Sequence, residues 1–535
     1  MDVLFAKESS KQTVELSANT IKDIALNELI DHLGGDPDEK VIIKKIMSQI
    51  PTDPNDMIFR QNILRDLIEN EDLCTSMSDI LAQIKTLKLF GDVRKAANER
   101  DTSLYTLLQT LRELMVYADV VENLYSEFLN SKITSEGLKA LRDSLEAIIN
   151  EDKFAEAKSD IRLMHDDLSN VRAAVIGVNF TPDFDIERVS TIEFVPYGLR
   201  SKYTIMDIAA GAKLSTPGHR VRYEDAFLSA LAPKMEKHLK THFFEVKKTL
   251  TKYTNYDSSF LVEMFEGLTF YLRSAKLAKK LKDKGYVITF PEIKPDSESK
   301  LSATGFYNIR LAFNGEEDIV KNDFTFTPDE RIFILTGPNR GGKTIVEQAL
   351  GLISVMTSLG MFVTADTCTG LPFDNILTHF PIDENLTINY GRLGEEAVRI
   401  KEIVKASDDN TLILFNETFS TTSASDGLYL SKDLIRVLKE KGAYVIFNTH
   451  IHDLAREIPE MNKWDGQGNI TSLVMERKDE KNTFLLKRAE PDSSSYARDI
   501  AEKYGITYEQ MNANSAKQHT DSDRTACCSA SRGTE

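Results

Sequence analysis

The chain reads as a multidomain protein: an all-α region carrying a small β insertion, followed by an α/β domain. Three observations predict this. Through roughly the first 173 residues, apolar side chains recur three and four apart with charges between them, the period of an amphipathic helix. Two runs rich in Val, Ile, Thr and Phe then break that habit, AAVIGVNF and VSTIEFVP. From about Phe290, short apolar runs bounded by turns alternate with helical segments, as expected of strands buried on both faces of a parallel sheet.

In chain order, residues 1–130 read as helical, with NTIKDIALNELIDHLG and MIFRQNILRDLIEN as the clearest stretches. Pro51 and Pro54, in PTDPND, interrupt the pattern and suit a turn followed by a helix N-cap. Residues 133–173 continue as one long, highly charged helical stretch. AAVIGVNF and VSTIEFVP, joined by TPDFDIER, read as two strands with a connection, near 174–197. Helical spacing returns from Tyr223 to about Lys284, so the hairpin falls between two helical arms. RIFIL at 331–335, TLILF at 411–415 and YVIFN at 444–448 are the buried strand candidates. Beyond Met511 the tail is polar and patternless and reads as disordered.

The 535 residues are 41% hydrophobic and 28% charged, which excludes a disordered, collagen-like or disulfide-stapled chain. Four scattered cysteines form no CxxC pair, which fits a reducing, cytosolic compartment. The start of the chain has no apolar run of signal-peptide length, and no run approaches the roughly 18 apolar residues of a membrane span. The expectation is a soluble, cytoplasmic protein with no membrane partner.

The formal net charge is −17, from 66 Lys+Arg against 83 Asp+Glu. An acidic total argues against a simple nucleic-acid coat protein, yet allows a local basic surface. Residues 201–285 hold 16 Lys+Arg and 9 Asp+Glu, a net of +7 that leaves −24 for the rest. Lys234, Lys237, Lys240, Lys247, Lys248 and Lys252 fall along one expected helix. They are either a solvated helix face or a contact to a nucleic-acid backbone. His238 and His242 have the i, i+4 spacing of metal ligands, but the HEXXH pattern is not met.

The strongest signal is TGPNRGGKT at 336–344: Thr336, Gly337, Pro338, Asn339, Arg340, Gly341, Gly342, Lys343 and Thr344. It matches GxxxxGK[ST], directly follows RIFIL and precedes a helical pattern, the context that a phosphate loop requires. Glycines let backbone N–H groups turn inward around phosphate oxygens, and the helix N-terminus adds a positive dipole end. Lys343 is expected to neutralise the β- and γ-phosphates, and the Thr344 hydroxyl to bind Mg²⁺.

A nucleotide site that cleaves also needs an acidic strand end. TLILFNETFS supplies one in altered form, Asn416-Glu417 where many such ATPases place Asp-Glu. Asn416 keeps a carbonyl oxygen but loses a charge, so Mg²⁺ held by Thr344, Asn416 and Glu417 is expected to bind more weakly. Glu417 is a candidate general base. His450 follows the next strand, about thirty residues on, in position to reach a γ-phosphate. Lys343, Glu417 and His450 are the catalytic candidates.

These residues resemble the MutS family of DNA mismatch-repair ATPases. The family's loop runs like TGPNMGGKST, its acidic strand like LLDEIGRGTSTYDG and its next strand like FATHYHEL. This chain has TGPNRGGKTI, LFNETFSTTSASDG and FNTHIHDL. The acidic-strand match includes Glu417, Thr422, Ser423, Asp426 and Gly427. PEI at 291–293 and KND at 321–323 resemble the approach to that ATPase domain, and SSSYARDIAEKYGI its close. The resemblance is strong over 290–510 and weaker before.

It implies a helical core at 1–130, levers with a reduced clamp at 131–285, an ABC-like P-loop ATPase domain at 286–510 and a tail at 511–535. It also implies ATP and Mg²⁺ as cofactors, DNA as partner, and a homodimer formed through the ATPase domains. The departures are specific. No mismatch-reading N-terminal domain is visible. GRLGEEA at 391–397 stands where the family has STFMVEM, so Glu396 is kept but Gly391 replaces a serine that reaches the neighbouring subunit's nucleotide. Ile319 stands where an aromatic stacks on adenine. The leading expectation is an ATP-dependent DNA-binding protein, and the rival is a nucleotide-switched scaffold with little or no hydrolysis. A transporter subunit fits poorly, since no LSGGQ-like signature is present, and no second cofactor motif supports a metabolic enzyme.

Overall fold

The computed structural model describes residues 3–96, 104–169, 173–183, 186–195, 248–249, 252, 259–294, 298–381, 392–478, 481–490, 504 and 506–511. The chain divides into two compact units. One comprises Met1–Thr13, Asn27–Ile293 and Met356–Phe362, the other Val14–Leu26, Lys294–Val355 and Val363–Glu535.

The first unit is helical, with one hairpin. Helix Pro37–Met47 begins in a capping box: the Asp36 carboxylate accepts from Glu39 N while the Glu39 carboxylate accepts from Asp36 N. Helix Pro54–Glu69 begins at N-cap Asp53 with Pro54 in the first turn, as PTDPND predicts. Helix Ser259–Asp283 packs against Pro37–Met47, Pro54–Glu69 and Glu71–Ala96. Its interior is apolar, with Leu261, Met264, Leu268, Tyr271 and Leu272 all buried.

The charged stretch 133–173 is not one helix. It forms Glu136–Ile149 and Asp152–Ser169, parted where Asn150 caps the first. The strand runs form an antiparallel hairpin, Ala173–Phe180 with Ile186–Val195. The second strand starts three residues before VSTIEFVP. Of the six lysines singled out, only Lys248 and Lys252 lie among the described residues. Lys252 pairs with Glu156 at 2.8 Å and Asp160 at 3.2 Å. The other four, His238 and His242, Gly391 and the tail beyond Met511 lie outside the described residues.

The second unit is built on a six-stranded sheet in the order Lys481–Arg488, Asn469–Lys478, Glu330–Thr336, Tyr444–Asn448, Thr411–Asn416, Asn375–His379. Every neighbouring pair is parallel except the first, where Lys481–Arg488 runs antiparallel to Asn469–Lys478. Alternation divides the strand residues between two cores. Ile332, Ile334, Ile413, Phe415, Val445 and Phe447 pack against Leu434, Ile435 and Leu438 of helix Ala424–Lys441 and Ile400 and Ile403 of helix Arg392–Ala406. On the other face, Phe333 and Tyr444 each meet the Phe326 ring edge-on at 5.4 Å. Phe326 belongs to a second, three-stranded antiparallel sheet in the order Asn322–Phe326, Leu301–Phe306, Thr367–Gly370. Helix Ala18–Asp23 also belongs to this unit: Thr20 Oγ1 donates to Ile376 O at 3.2 Å and Thr378 Oγ1 to the Asp23 carboxylate at 2.7 Å.

Candidate nucleotide site

Parallel pairing brings three strand ends to one edge. Asn416 is registered on Asn448, and Asn448 on Leu335. The loops that follow therefore leave the sheet together: 337–342 after Thr336, Glu417 after Asn416, and Thr449-His450 after Asn448. In open α/β sheets that edge is where ligands bind.

The phosphate loop has the backbone its glycines predict. Gly337 has φ 142° and Gly342 has φ 94°, both in the region that disfavours side chains. A Cβ on Gly337 would stand 2.9 Å from Met475 Cβ. Arg340 is also left-handed, at φ 60°. Gly341 N donates to Pro338 O at 3.1 Å, closing the turn. Helix Lys343–Ser358 starts at the loop's end.

Lys343 is buried, and its ammonium donates to Gly337 O at 3.1 Å and Pro338 O at 3.2 Å. Burial holds its pKa below the usual lysine value, and Glu417 and Glu347 pull the other way. Glu417 sits at φ 53° and donates its backbone N–H to Asn448 O at 2.9 Å. Its carboxylate accepts from His450 Nε2 at 2.7 Å, the main cause of a pKa below the usual glutamate value. Ionised glutamate and imidazole thus form a pair at the mouth of the loop, each side chain about one third exposed.

Behind them lies a polar chain. Asn416 Nδ2 donates to Thr344 Oγ1 at 3.1 Å, and Asn448 Nδ2 donates to Asn416 Oδ1 at 3.1 Å and to Glu347 Oε2 at 3.2 Å. Glu347 is fully buried, and desolvation pushes its pKa well up. A second chain braces the Glu417 loop. Glu396 accepts from Phe419 N at 2.8 Å, and Thr418 Oγ1 bonds His379 Nδ1 at 2.9 Å. Burial depresses the His379 pKa to about 4, so its imidazole is neutral.

A cavity of about 470 Å³ adjoins the loop, lined by residues 339–346, Glu417, Tyr307, Leu311, Ile319, Val320, Met475 and Phe484. Its wall is mostly apolar, which suits a flat base next to a polar phosphate end. The structure therefore brings Lys343, Thr344, Asn416, Glu417 and His450 together and puts Ile319 on the cavity wall. Among the participants not singled out from sequence are Glu347, Asn448, His379, Met475 and Phe484. Asn448 left a signal, a polar residue ending a buried strand run. Phe484 left none, because its place over the loop depends on the edge strand Lys481–Arg488 folding back.

The loop geometry fits a nucleotide's phosphates. Gly337 can accept no Cβ, an ammonium stands inside the loop, and a helix N-terminus follows. The strand, glycine-rich loop and following helix form a site that could hold the phosphates of a nucleotide. Residues 333–520 match the family model described as MutS domain V. Over 199 residues the chain is 32% identical to the DNA mismatch repair protein MutS of Streptococcus pyogenes serotype M1. Over 205 residues it is 31% identical to that of Streptococcus mutans serotype c. These alignments cover 36% and 37% of this chain but only 22% and 23% of those proteins. Over this C-terminal region the chain is similar to MutS proteins, and it spans less than a quarter of the length of the curated relatives it matches. Among the described residues, no helix is long and apolar enough to cross a membrane.

Proposed function

We propose that this protein is a MutS-like ATPase that binds DNA, with nucleotide state coupled to movement of its helical region. The observation that carries the reading is the convergence of Lys343, Thr344 and the Glu417–His450 pair at one sheet edge beside an apolar cavity. In this reading Gly337 to Gly342 wrap the phosphates of ATP, and Lys343 exchanges its two carbonyl partners for phosphate oxygens. Thr344 would hold Mg²⁺ through its hydroxyl, and the ion would supply charge neutralisation when bound. Glu417, kept ionised by His450, takes the proton of an attacking water. Ile319 and Phe484 bound the base.

The wider reading extends the resemblance. Residues 1–130 act as a helical core, 131–285 as levers with a clamp reduced to the hairpin near 174–197, and 286–510 as the ATPase domain. DNA backbone phosphates meet the basic stretch 201–285, two copies pair through their ATPase domains, and the protein works in the cytoplasm.

The test is Mg²⁺-dependent ATP hydrolysis by the purified chain, alone and with duplex, mismatched and branched DNA at low and moderate salt. Lys343→Ala should abolish hydrolysis, and DNA should change the rate in a salt-dependent way. A rate indifferent to Lys343 would refute the site, and one indifferent to every DNA would refute the coupling. A second reading, a nucleotide-switched scaffold that hydrolyses very slowly, is favoured by one observation: Asn416 turns its NH₂ toward Thr344. Tight ATP binding with negligible turnover would select it.

A further inference from the structure

We propose that Glu396 is a positioning residue for Glu417: by accepting from the backbone N–H of Phe419 it fixes the turn that presents the Glu417 carboxylate to the nucleotide cavity. The inference rests on the nucleotide reading above. It begins with a backbone anomaly. Glu417 and Phe419 both take left-handed conformations, at φ 53° and φ 63°. Neither is a glycine, and such residues stay in that region only where their surroundings hold them. Two of them flank Thr418, so the turn that carries the candidate base needs restraint from outside.

On one side the restraint is the sheet. Glu417 N donates to Asn448 O at 2.9 Å, one residue beyond the registered pair Asn416 and Asn448. Ser420 N donates to Glu417 O at 3.2 Å and closes the turn. On the other side the restraint comes from helix Arg392–Ala406. Glu396 Oε1 accepts from Phe419 N at 2.8 Å, and Glu396 Oε2 from Thr421 Oγ1 at 3.4 Å. Thr418 shares a hydrogen bond with His379, the last residue of strand Asn375–His379.

The bond to Phe419 does not depend on the charge of Glu396. Burial raises the Glu396 pKa, but a backbone N–H can only donate, and a carboxyl in either form keeps an oxygen that accepts. Water is a poor substitute there, because Phe419 is 5% exposed and the Glu396 side chain 12%. Loss of the acceptor would strand a buried N–H, and the turn would relieve it by moving. Among the described residues, Glu417 lines the nucleotide cavity and Glu396 does not. The effect should therefore fall on turnover and spare nucleotide binding.

The experiment follows three quantities in the full-length chain: affinity for N-methylanthraniloyl-ATP, ATP turnover at saturation with Mg²⁺, and amide exchange over 416–421. Glu396→Met keeps length and helix propensity but offers no oxygen. Its affinity should stay within about twofold of wild type, since the phosphate-binding groups are untouched. Its turnover should fall about tenfold to a hundredfold, the scale of a reacting group displaced by about 1 Å. Exchange over 416–421 should quicken by on the order of tenfold. Glu396→Gln keeps the acceptor and should match wild type in all three. Equal losses in Glu396→Met and Glu396→Gln, or a loss of affinity as large as the loss of turnover, overturn the proposal. If Glu396→Met shows no cooperative melt, Glu396→Ala carries the same expectation. Absence of any Lys343-dependent binding overturns the nucleotide reading itself. Lys343-dependent binding with no wild-type turnover, or with turnover unmoved in Glu396→Met, overturns only the role of Glu396.

Discussion

Asn416→Asp tests the electrostatics of the site most directly. Position 416 is 5% exposed, so the new carboxylate is taken out of water at an effective cost of several kcal/mol. Two donors are at hand. Asn448 Nδ2 keeps its place on one oxygen, and the Thr344 hydroxyl can rotate to donate to the other. Hydrogen bonds to a charged group return about 1.5–3 kcal/mol each. The ionised Glu417 stands next in sequence and opposes a further negative charge. The balance is a net loss of about 2 kcal/mol without a cation. At about 2–4 °C per kcal/mol for a unit of about 250 residues, the melting temperature should fall by roughly 4–8 °C in EDTA. Mg²⁺ with ATP should recover most of that loss, because the cation then has a carboxylate to meet. Differential scanning fluorimetry in EDTA, Mg²⁺ and Mg²⁺ with ATP measures each quantity, and ATP hydrolysis is followed in parallel. Equal melting of variant and wild type in all three conditions would refute the reasoning. Unchanged hydrolysis would show that Asn416 does not limit the rate.

Two further predictions concern the fold. The buried Asp66 carboxylate accepts from Thr134 N, Thr134 Oγ1 and Ser135 N, and so caps helix Glu136–Ile149, whose own N-cap Ser135 makes no side-chain cap bond. Asp66→Ala strands those donors and should cost about 3–5 kcal/mol, read as faster amide exchange over 134–149. Lys300 titrates at about 8 because burial penalises its charge. The unfolded chain then binds more protons than the folded one between about pH 8 and 10.5, so stability should rise with pH across that window by on the order of 3 kcal/mol. Lys300→Met should flatten that rise in urea melts at pH 7 and pH 10.

The sequence was most legible where one local rule decided the outcome. YVIFN is the strand Tyr444–Asn448 to the residue, and AAVIGVNF is Ala173–Phe180, because runs of β-branched and aromatic residues bounded by turns have few alternatives. PTDPND became a cap and a first turn for the same reason. The charged stretch 133–173 was harder. Its helical period continues across Asn150-Glu151, so the break is invisible to periodicity. It falls where Asn150 ends the first helix, its backbone N–H turned to Glu146 O and Ile148 O.

The site shows the same division at finer scale. Lys343, Thr344, Glu417 and His450 are legible because strand–loop–helix spacing fixes where each leaves the sheet. Which atom of Asn416 faces Thr344 is not legible from its own position, since Asn offers an oxygen and a nitrogen equally well. Asn416 Oδ1 accepts from Asn448 Nδ2 on the neighbouring strand, and the same Nδ2 donates to Glu347 on the helix behind the loop. An asparagine standing where a carboxylate is expected cannot be interpreted by the lost charge alone. The amide is a dipole, and here its NH₂ end stands on Thr344 Oγ1 while its oxygen accepts from Asn448 Nδ2.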